Sequence, residues 1–178
     1  MLTQVRRAEL ADATAIGAVH VAAWRSAYPG ILPDTYLASL SPTRLALQYR
    51  SAIASGSTVM VATARGQEPR VVGFTTAGPP RTPGLGDAEI ETLYVLDDWR
   101  DQGLGRRMMR AAATELVARG CGSVFVWVLR DNPSRWFYRH LGGRPAAEGS
   151  TRVAGVALQQ VAYCWSPIES LLAAEPAG

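Results

Sequence analysis

The sequence predicts an α+β (α/β) fold, and three observations carry that prediction. Short β-branched and aromatic runs recur between turn residues, as sheet strands do. Stretches of helical period precede and interrupt those runs. At the centre, a strand pattern, a helix pattern and a second strand pattern follow one another directly, which is the order of a crossover connection.

The amino-terminal part supplies a strand and helices. Leu2 to Arg7 alternates apolar and polar residues, enough for a short edge-forming strand. Asp12 is placed to cap a helix on which Ile16, Val19, His20, Ala23 and Trp24 share a face. Tyr28-Pro29-Gly30-Ile31-Leu32-Pro33 breaks that helix into a loop. Asp34 is placed to cap a short helix through Leu40, and Ser41-Pro42 opens another that runs to about Ala54.

Three strands are expected next: Thr58 to Ala64, Val71 to Ala77 and Ala88 to Leu96, with antiparallel neighbours joined by short loops. Gly66-Gln67-Glu68-Pro69 reads as a turn, and Gly78-Pro79-Pro80-Arg81-Thr82-Pro83-Gly84 as a loop, shaped or mobile. A helix from Gly103 to about Arg119 puts Leu104, Met108, Ala112 and Leu116 on one stripe and ends at Gly120. Ser123 to Leu129 is a buried strand, Pro133 to His140 a helix and Val153 to Trp165 the last strand. The tail from Leu171 reads as a frayed terminus.

The chain has 178 residues, 48% of them apolar and 19% charged, the size and balance of one globular domain. Residues 1–166 are expected to be that domain and 167–178 its carboxyl-terminal tail. The net charge of +3 is spread along the chain, whereas nucleic-acid binders gather their basic residues, so no nucleic-acid partner is expected. Cys121 and Cys164 lack companions at metal spacing, and His20 and His140 stand far apart without a carboxylate cluster, so no metal site is expected. No leader pattern occupies Met1 to Leu10, and no apolar stretch is long enough to span a bilayer. A soluble, cytoplasmic protein with reduced thiols and no membrane partner is the expectation.

The chemistry concentrates between Glu89 and Tyr138. The strand ending Leu93-Tyr94-Val95 runs into Arg100-Asp101-Gln102-Gly103-Leu104-Gly105-Arg106, so two glycines and flanking arginines stand at the mouth of a helix. First-turn amides have no partner inside a helix, and the helix dipole adds positive charge there. Glycine lets an anion approach the backbone closely. A dinucleotide fingerprint would need glycine where Met108 stands, and a P-loop would need a lysine that this segment lacks.

Arg100-x-x-Gly103-x-Gly105 after that strand resembles the coenzyme-A pyrophosphate loop of the GCN5-related N-acetyltransferase (GNAT) family. Asn132-Pro133-Ser134-Arg135-Trp136-Phe137-Tyr138-Arg139-His140-Leu141-Gly142 is similar to the family's Asn-x-x-Ala-x-x-Phe-Tyr-x-x-x-Gly-Phe block. The resemblance covers roughly Leu2 to Trp165. Asp101 stands where the loop often has glycine, Arg135 lies near a position where alanine is common, and Gly143 replaces an aromatic.

This resemblance implies a mixed, mostly antiparallel central sheet flanked by helices, and an N-acetyltransferase that uses acetyl-CoA. It places the pyrophosphate on the segment Arg100, Asp101, Gln102, Gly103, Leu104, Gly105 and Arg106, and the pantetheine along the backbone of Leu93, Tyr94 and Val95. Asn132 and Ser134 would hold the pantetheine arm, and Tyr138 would protonate the leaving sulfur. Glu89 is the expected general base, with Glu91 on the same face or a chain of waters as alternatives. Trp24, Tyr28 and Tyr36 are the candidate acceptor-binding residues, the acceptor being a small-molecule or peptide amine. Dimerisation through the last strands is also implied. A non-catalytic acyl-CoA-binding module on the same fold is the alternative function.

Overall fold

The computed structural model describes residues 3–66 and 69–173. The expectations for Leu2, for Gln67 and Glu68 in the turn after Ala64 and for residues 174–178 of the tail lie outside the described residues. Residues 3–76 with 92–112 form one compact unit, and residues 77–91 with 113–173 a second.

The first unit opens with β1 (Thr3–Arg7), followed by α1 (Ala13–Ala27), α2 (Asp34–Ser39), α3 (Pro42–Ala54) and β2 (Thr58–Ala64). β1 lies antiparallel to β2, with Thr3 opposite Ala64 and Arg7 opposite Met60. Ser41 accepts the Arg44 N–H at 3.2 Å, so α3 carries the side-chain cap and first-turn proline expected of it. Asp12 does not cap α1. Its carboxylate accepts the Glu9 N–H at 2.8 Å and the Arg6 guanidinium at 2.7 and 2.9 Å, because a 3-10 turn at Leu10–Asp12 precedes the helix and turns that side chain back. Asp34 likewise sits inside the first turn of α2, behind Pro33.

Strands β3 (Arg70–Gly78) and β4 (Ala88–Val95) contribute residues to both units, as does α4 (Leu104–Ala118). Within the first unit the apolar residues form two clusters. Ile16, Val19, Tyr49, Val59, Val61, Val71 and Phe74 gather where α1 and α3 cover the strands. Ala62, Ala64, Val72, Leu104 and Met108 form the other cluster, with Leu93 and Val95 against it. In β2 and β4 the period-2 alternation produces this division, Val59, Val61 and Tyr94 facing one cluster and Ala62, Ala64, Leu93 and Val95 the other, and the i, i+4 stripe of α4 adds Leu104 and Met108.

The second unit contains β5 (Val124–Leu129), α5 (Arg135–His140), β6 (Arg144–Val153), β7 (Val156–Trp165) and α6 (Glu169–Ala173). β4 runs parallel to β5 through Ala88–Ile90 and Val124–Val126, so the predicted crossover is present. β5 then pairs antiparallel with β7 from Val124–Trp165 to Leu129–Gln160. The seven strands of the described residues hydrogen-bond in the order β1-β2-β3-β4-β5-β7-β6.

Two differences from the sequence reading fall in this unit. The last strand, expected from Val153, is present but starts at Val156, and a further strand, β6, precedes it; the two form a hairpin whose turn is Ala154 and Gly155 at φ of 51° and 78°. Both turn residues are left-handed, as a two-residue hairpin turn requires. β6 escapes detection because its residues are small or polar and mostly exposed, so no apolar alternation marks it. The second difference is α6, which replaces an unstructured tail up to Ala173: Ile168 and Leu171 are fully buried, and the Ile168 N–H donates to the Gly122 carbonyl at 2.8 Å.

Gly17 sets how closely α1 and α3 approach. A Cβ there would lie 2.5 Å from the Pro42 carbonyl oxygen and 2.8 Å from the Ala46 amide nitrogen, both backbone atoms. Gly17→Ala is therefore expected to destabilise the protein by about 1–3 kcal/mol, although alanine is the better helix former. Chemical denaturation of the two proteins measures this; an unchanged or higher midpoint would contradict it.

Candidate active site

The turn into α4 is built from backbone conformation. Asp97–Trp99 form a 3-10 turn, and Arg100 pairs with Asp97 at 2.9 Å. Asp101 and Gly103 then both adopt left-handed φ, 58° and 72°. Left-handed residues alternating with an ordinary one turn successive N–H groups to one side, which makes an anion-binding concavity. Asp is among the few residues other than glycine that visit this region readily, so its presence at 101 costs little. Nothing lies within 4 Å of the place a Gly103 Cβ would occupy. The first bond of the turn is Arg107 N–H to Gly103 carbonyl, and the amides before it precede the helical ladder. Leu104 is 1% exposed and held in the core, so its side chain is committed to packing. The Gln102 side chain turns back to the Asp98 carbonyl at 3.1 Å, Arg106 is half-buried, and Gly105 lies within the first turn of α4.

Leu93 and Val95 pack their side chains into the core cluster with Leu104 and Met108, while Tyr94 points into an aromatic group. Their side chains are thus committed to packing, as main-chain recognition along this strand would require.

Further back on β4, Glu89 is 0% exposed. Its Oε1 accepts the Arg81 guanidinium at 2.6 and 3.2 Å, and its Oε2 accepts the Arg81 backbone N–H at 2.8 Å. Glu91 is exposed, its carboxylate 3.3 Å from where a Gly78 Cβ would stand. Both carboxylates therefore flank the proline- and glycine-rich loop between β3 and β4. That loop is anchored at several points. Trp127 Nε1–H donates to Thr82 Oγ1 at 3.1 Å, and the Cys164 thiol donates to the Leu85 carbonyl at 3.3 Å. Asp87 accepts the Gly122 and Ser123 amides while Ser123 Oγ accepts the Asp87 N–H.

Tyr138 is buried in α5, stacked 6.3 Å from Tyr163 and edge-on to Phe137 and Trp165. Gly143 lies beside this group: Trp165 comes within 2.8 Å of its missing Cβ and donates its indole N–H to the Leu141 carbonyl at 2.8 Å. Trp165 of β7 thus fills the space that an aromatic at 143 would take. Asn132 Oδ1 accepts the exposed Ser134 N–H at 2.9 Å, forming a local turn, so α5 starts at Arg135 and not at Pro133.

The three aromatic candidates near the amino terminus come together. Trp24 contacts Tyr28 at 4.9 Å and Tyr36 at 6.4 Å between centroids. Tyr94 at 6.3 Å and His20 at 5.1 Å from Trp24 complete the group, and neither was singled out in the sequence as part of it. His20 is expected on the same helix face as Trp24, though not as part of an acceptor group; Tyr94 comes from a distant strand. The Trp24 indole N–H is buried without a partner among the described residues.

Burial pushes both thiols, Cys121 and Cys164, above their ordinary pKa, and Asp87 adds to this at Cys121. Neither is a ready thiolate nucleophile. Among the described residues no cluster of His, Cys, Asp and Glu could hold a metal ion, and no helix is long and apolar enough to cross a membrane.

With this geometry in view, the comparisons with known proteins agree on one group. The sequence model described as "Acetyltransferase (GNAT) family" matches residues 21–142. The chain is 34% identical over 171 residues to the uncharacterized N-acetyltransferase YuaI of Bacillus subtilis (strain 168), covering 96% of each. Its fold is similar to an N-acetyltransferase from Staphylococcus aureus Mu50, with a TM-score of 0.70, 18% identity and coverage of 93% and 99%. It is also similar to yncA of Salmonella typhimurium, solved with its cofactor acetyl-CoA, with a TM-score of 0.69, 19% identity and coverage of 93% and 94%. At these identities the two structural likenesses establish the fold.

His20 supplies a test of this environment. Its Nδ1 lies 2.6 Å from the Tyr49 hydroxyl, and burial among Trp24, Phe74 and Tyr94 holds its pKa down to about 4, from 6.5. The unfolded chain takes up this proton first, so the contribution to stability is complete above pH 6.5 and is lost as pH falls towards about 4. An NMR titration of the His20 ring should show a midpoint near 4, and His20→Gln should flatten the loss of stability over that window. A ring midpoint at 6.5 would contradict the burial argument.

Proposed function

The chain belongs to the acetyltransferase (GNAT) family, and on that premise we propose that it moves an acetyl group from acetyl-CoA to a primary amine by direct attack. The observation that carries this reading is the left-handed turn at Asp101 and Gly103 ahead of α4. It offers backbone donors and open space where a diphosphate needs both. Acetyl-CoA would supply the thioester whose acyl carbon accepts the amine and whose sulfur leaves as a thiol.

Arg100 to Arg106 would hold the pyrophosphate through main-chain amides. The backbone of Leu93, Tyr94 and Val95 would take the pantetheine as an added strand, which suits side chains already committed to packing. Asn132 and Ser134 would add hydrogen bonds to the same arm. Such binding, remote from the reacting atoms, fixes their geometry.

The amine must lose a proton before it attacks, because an ammonium has no lone pair. Glu89 is the group we assign to that step, with Glu91 beside the same loop as the second carboxylate. Tyr138 is assigned the return proton to the sulfur; its packing against Tyr163 and Trp165 would hold the phenol in one orientation. Trp24, Tyr28 and Tyr36 are assigned to the acceptor, a small-molecule or peptide amine. Residues 1–166 would serve as the catalytic domain. The raised thiol pKa values favour direct transfer over a cysteine-bound intermediate.

The test is an amine library assayed by release of free thiol from acetyl-CoA. With the amine so selected, Tyr138→Phe and Glu89→Gln should each lower kcat by roughly 10²-fold while KM for acetyl-CoA changes little. Thiol release from no amine, or variants as active as the parent, would overturn the reading.

A further inference from the structure

The Arg81–Glu89 pair is asymmetric. Glu89 is 0% exposed, whereas the Arg81 side chain is 65% exposed. The carboxylate is sealed and the guanidinium lies over it like a plug, with much of its surface in water. Arg81 satisfies both oxygens of Glu89, through two guanidinium bonds to Oε1 and one backbone bond to Oε2.

It is the exposed side chain that can leave, because the backbone here is tied separately, the Arg81 N–H to Glu89 Oε2 and Thr82 to Trp127. Arg81 follows Gly78-Pro79-Pro80, and further ties of the loop lie beyond it at Leu85 and Asp87. Gly84 has φ of 84°, a conformation available to glycine and costly for other residues. At the root of the loop, Glu91 stands beside Gly78.

We propose that Arg81 is a tethered occupant of a cation site on Glu89, and that the acceptor's ammonium group docks there by displacing the guanidinium. This rests on the N-acyltransfer reading above and deepens it by naming the acceptor class. An ammonium and a guanidinium are both cationic N–H donors, so the exchange keeps Glu89 paired throughout. A neutral amine would leave a buried carboxylate without a counter-charge, which is strongly unfavourable. The acceptor is accordingly an amine that is protonated at working pH, not an aniline or an amide nitrogen. Once docked, the ammonium passes one proton to Glu89 Oε1 and becomes the neutral nucleophile.

The probes are n-propylammonium and methylguanidinium, with tetramethylammonium as a cation that has no N–H. Thermal midpoints of the parent protein, Arg81→Ala and the Arg81→Ala/Glu89→Gln double variant are measured against each probe. Arg81→Gln, with its longer side chain, replaces Arg81→Ala if the latter does not fold. The single variant should be stabilised by the two N–H cations at concentrations about tenfold below those that affect the parent, and tetramethylammonium should have no such effect. The double variant should not respond. A single variant indifferent to both N–H cations, or a double variant that responds equally, would overturn the proposal. Acetyl-CoA binding, measured on the same samples, separates the two readings: retained binding with no cation response removes the plug alone, and a cation response without acetyl-CoA binding removes the enzyme reading alone.

Discussion

The chain passes from β4 to α4 through two left-handed residues, Asp101 and Gly103, and the candidate cofactor surface depends on that conformation. The turn is useful only if the elements on both sides are fixed. Leu104 and Met108 fix the start of α4 in the same cluster that receives Leu93 and Val95 from β4. Gly73 makes the fit possible: a Cβ there would lie 2.9 Å from the Tyr94 carbonyl oxygen and 3.1 Å from the Met108 side chain. Short ties brace the turn itself, Arg100 to Asp97 and Gln102 to the Asp98 carbonyl. Packing thus sets where the main-chain donors stand, and side-chain identity within the loop matters less than its backbone angles.

Charge is handled differently around Glu89. Full burial of a carboxylate is costly unless it is paired and hydrogen-bonded, and Arg81 meets both needs from a single residue. A carboxylate so held has its geometry set in advance, but it exchanges protons only if its partner yields. The aromatic group of His20, Trp24, Tyr28, Tyr36 and Tyr94 contrasts with this, being held by ring packing around Trp24, with an imidazole that burial keeps neutral at ordinary pH.

Much of this was legible in the residues because the signals are local. Gly103 and Gly105 at a helix mouth, the helical stripe of α4 and the β-rich runs of β2, β4 and β5 depend on near neighbours and are readable as pattern. The hairpin turn at Ala154-Gly155 was not, since alanine carries no signal for a left-handed position, and β6 lacks an apolar face. Asp12 reads as a cap, yet Arg6 six residues earlier claims its carboxylate. Long-range partners were the chief loss. Nothing in the loop marks Arg81 as the partner of Glu89, and nothing at Gly143 announces that Trp165 fills its place. Asp101 was noticed as a departure from glycine, and its φ of 58° gives the physical reason why glycine suits that position.

The central claim is that the turn at Asp101 and Gly103 receives the diphosphate of acetyl-CoA. Calorimetric titration of the parent protein and of Gly103→Val with acetyl-CoA tests it most directly. A β-branched residue disfavours a φ of 72° and puts methyl groups into the space left open there. Binding by the parent, weakened about tenfold or more in the variant with the fold intact by circular dichroism, is the predicted result. No binding to the parent at millimolar acetyl-CoA, or equal binding by both proteins, would contradict the account.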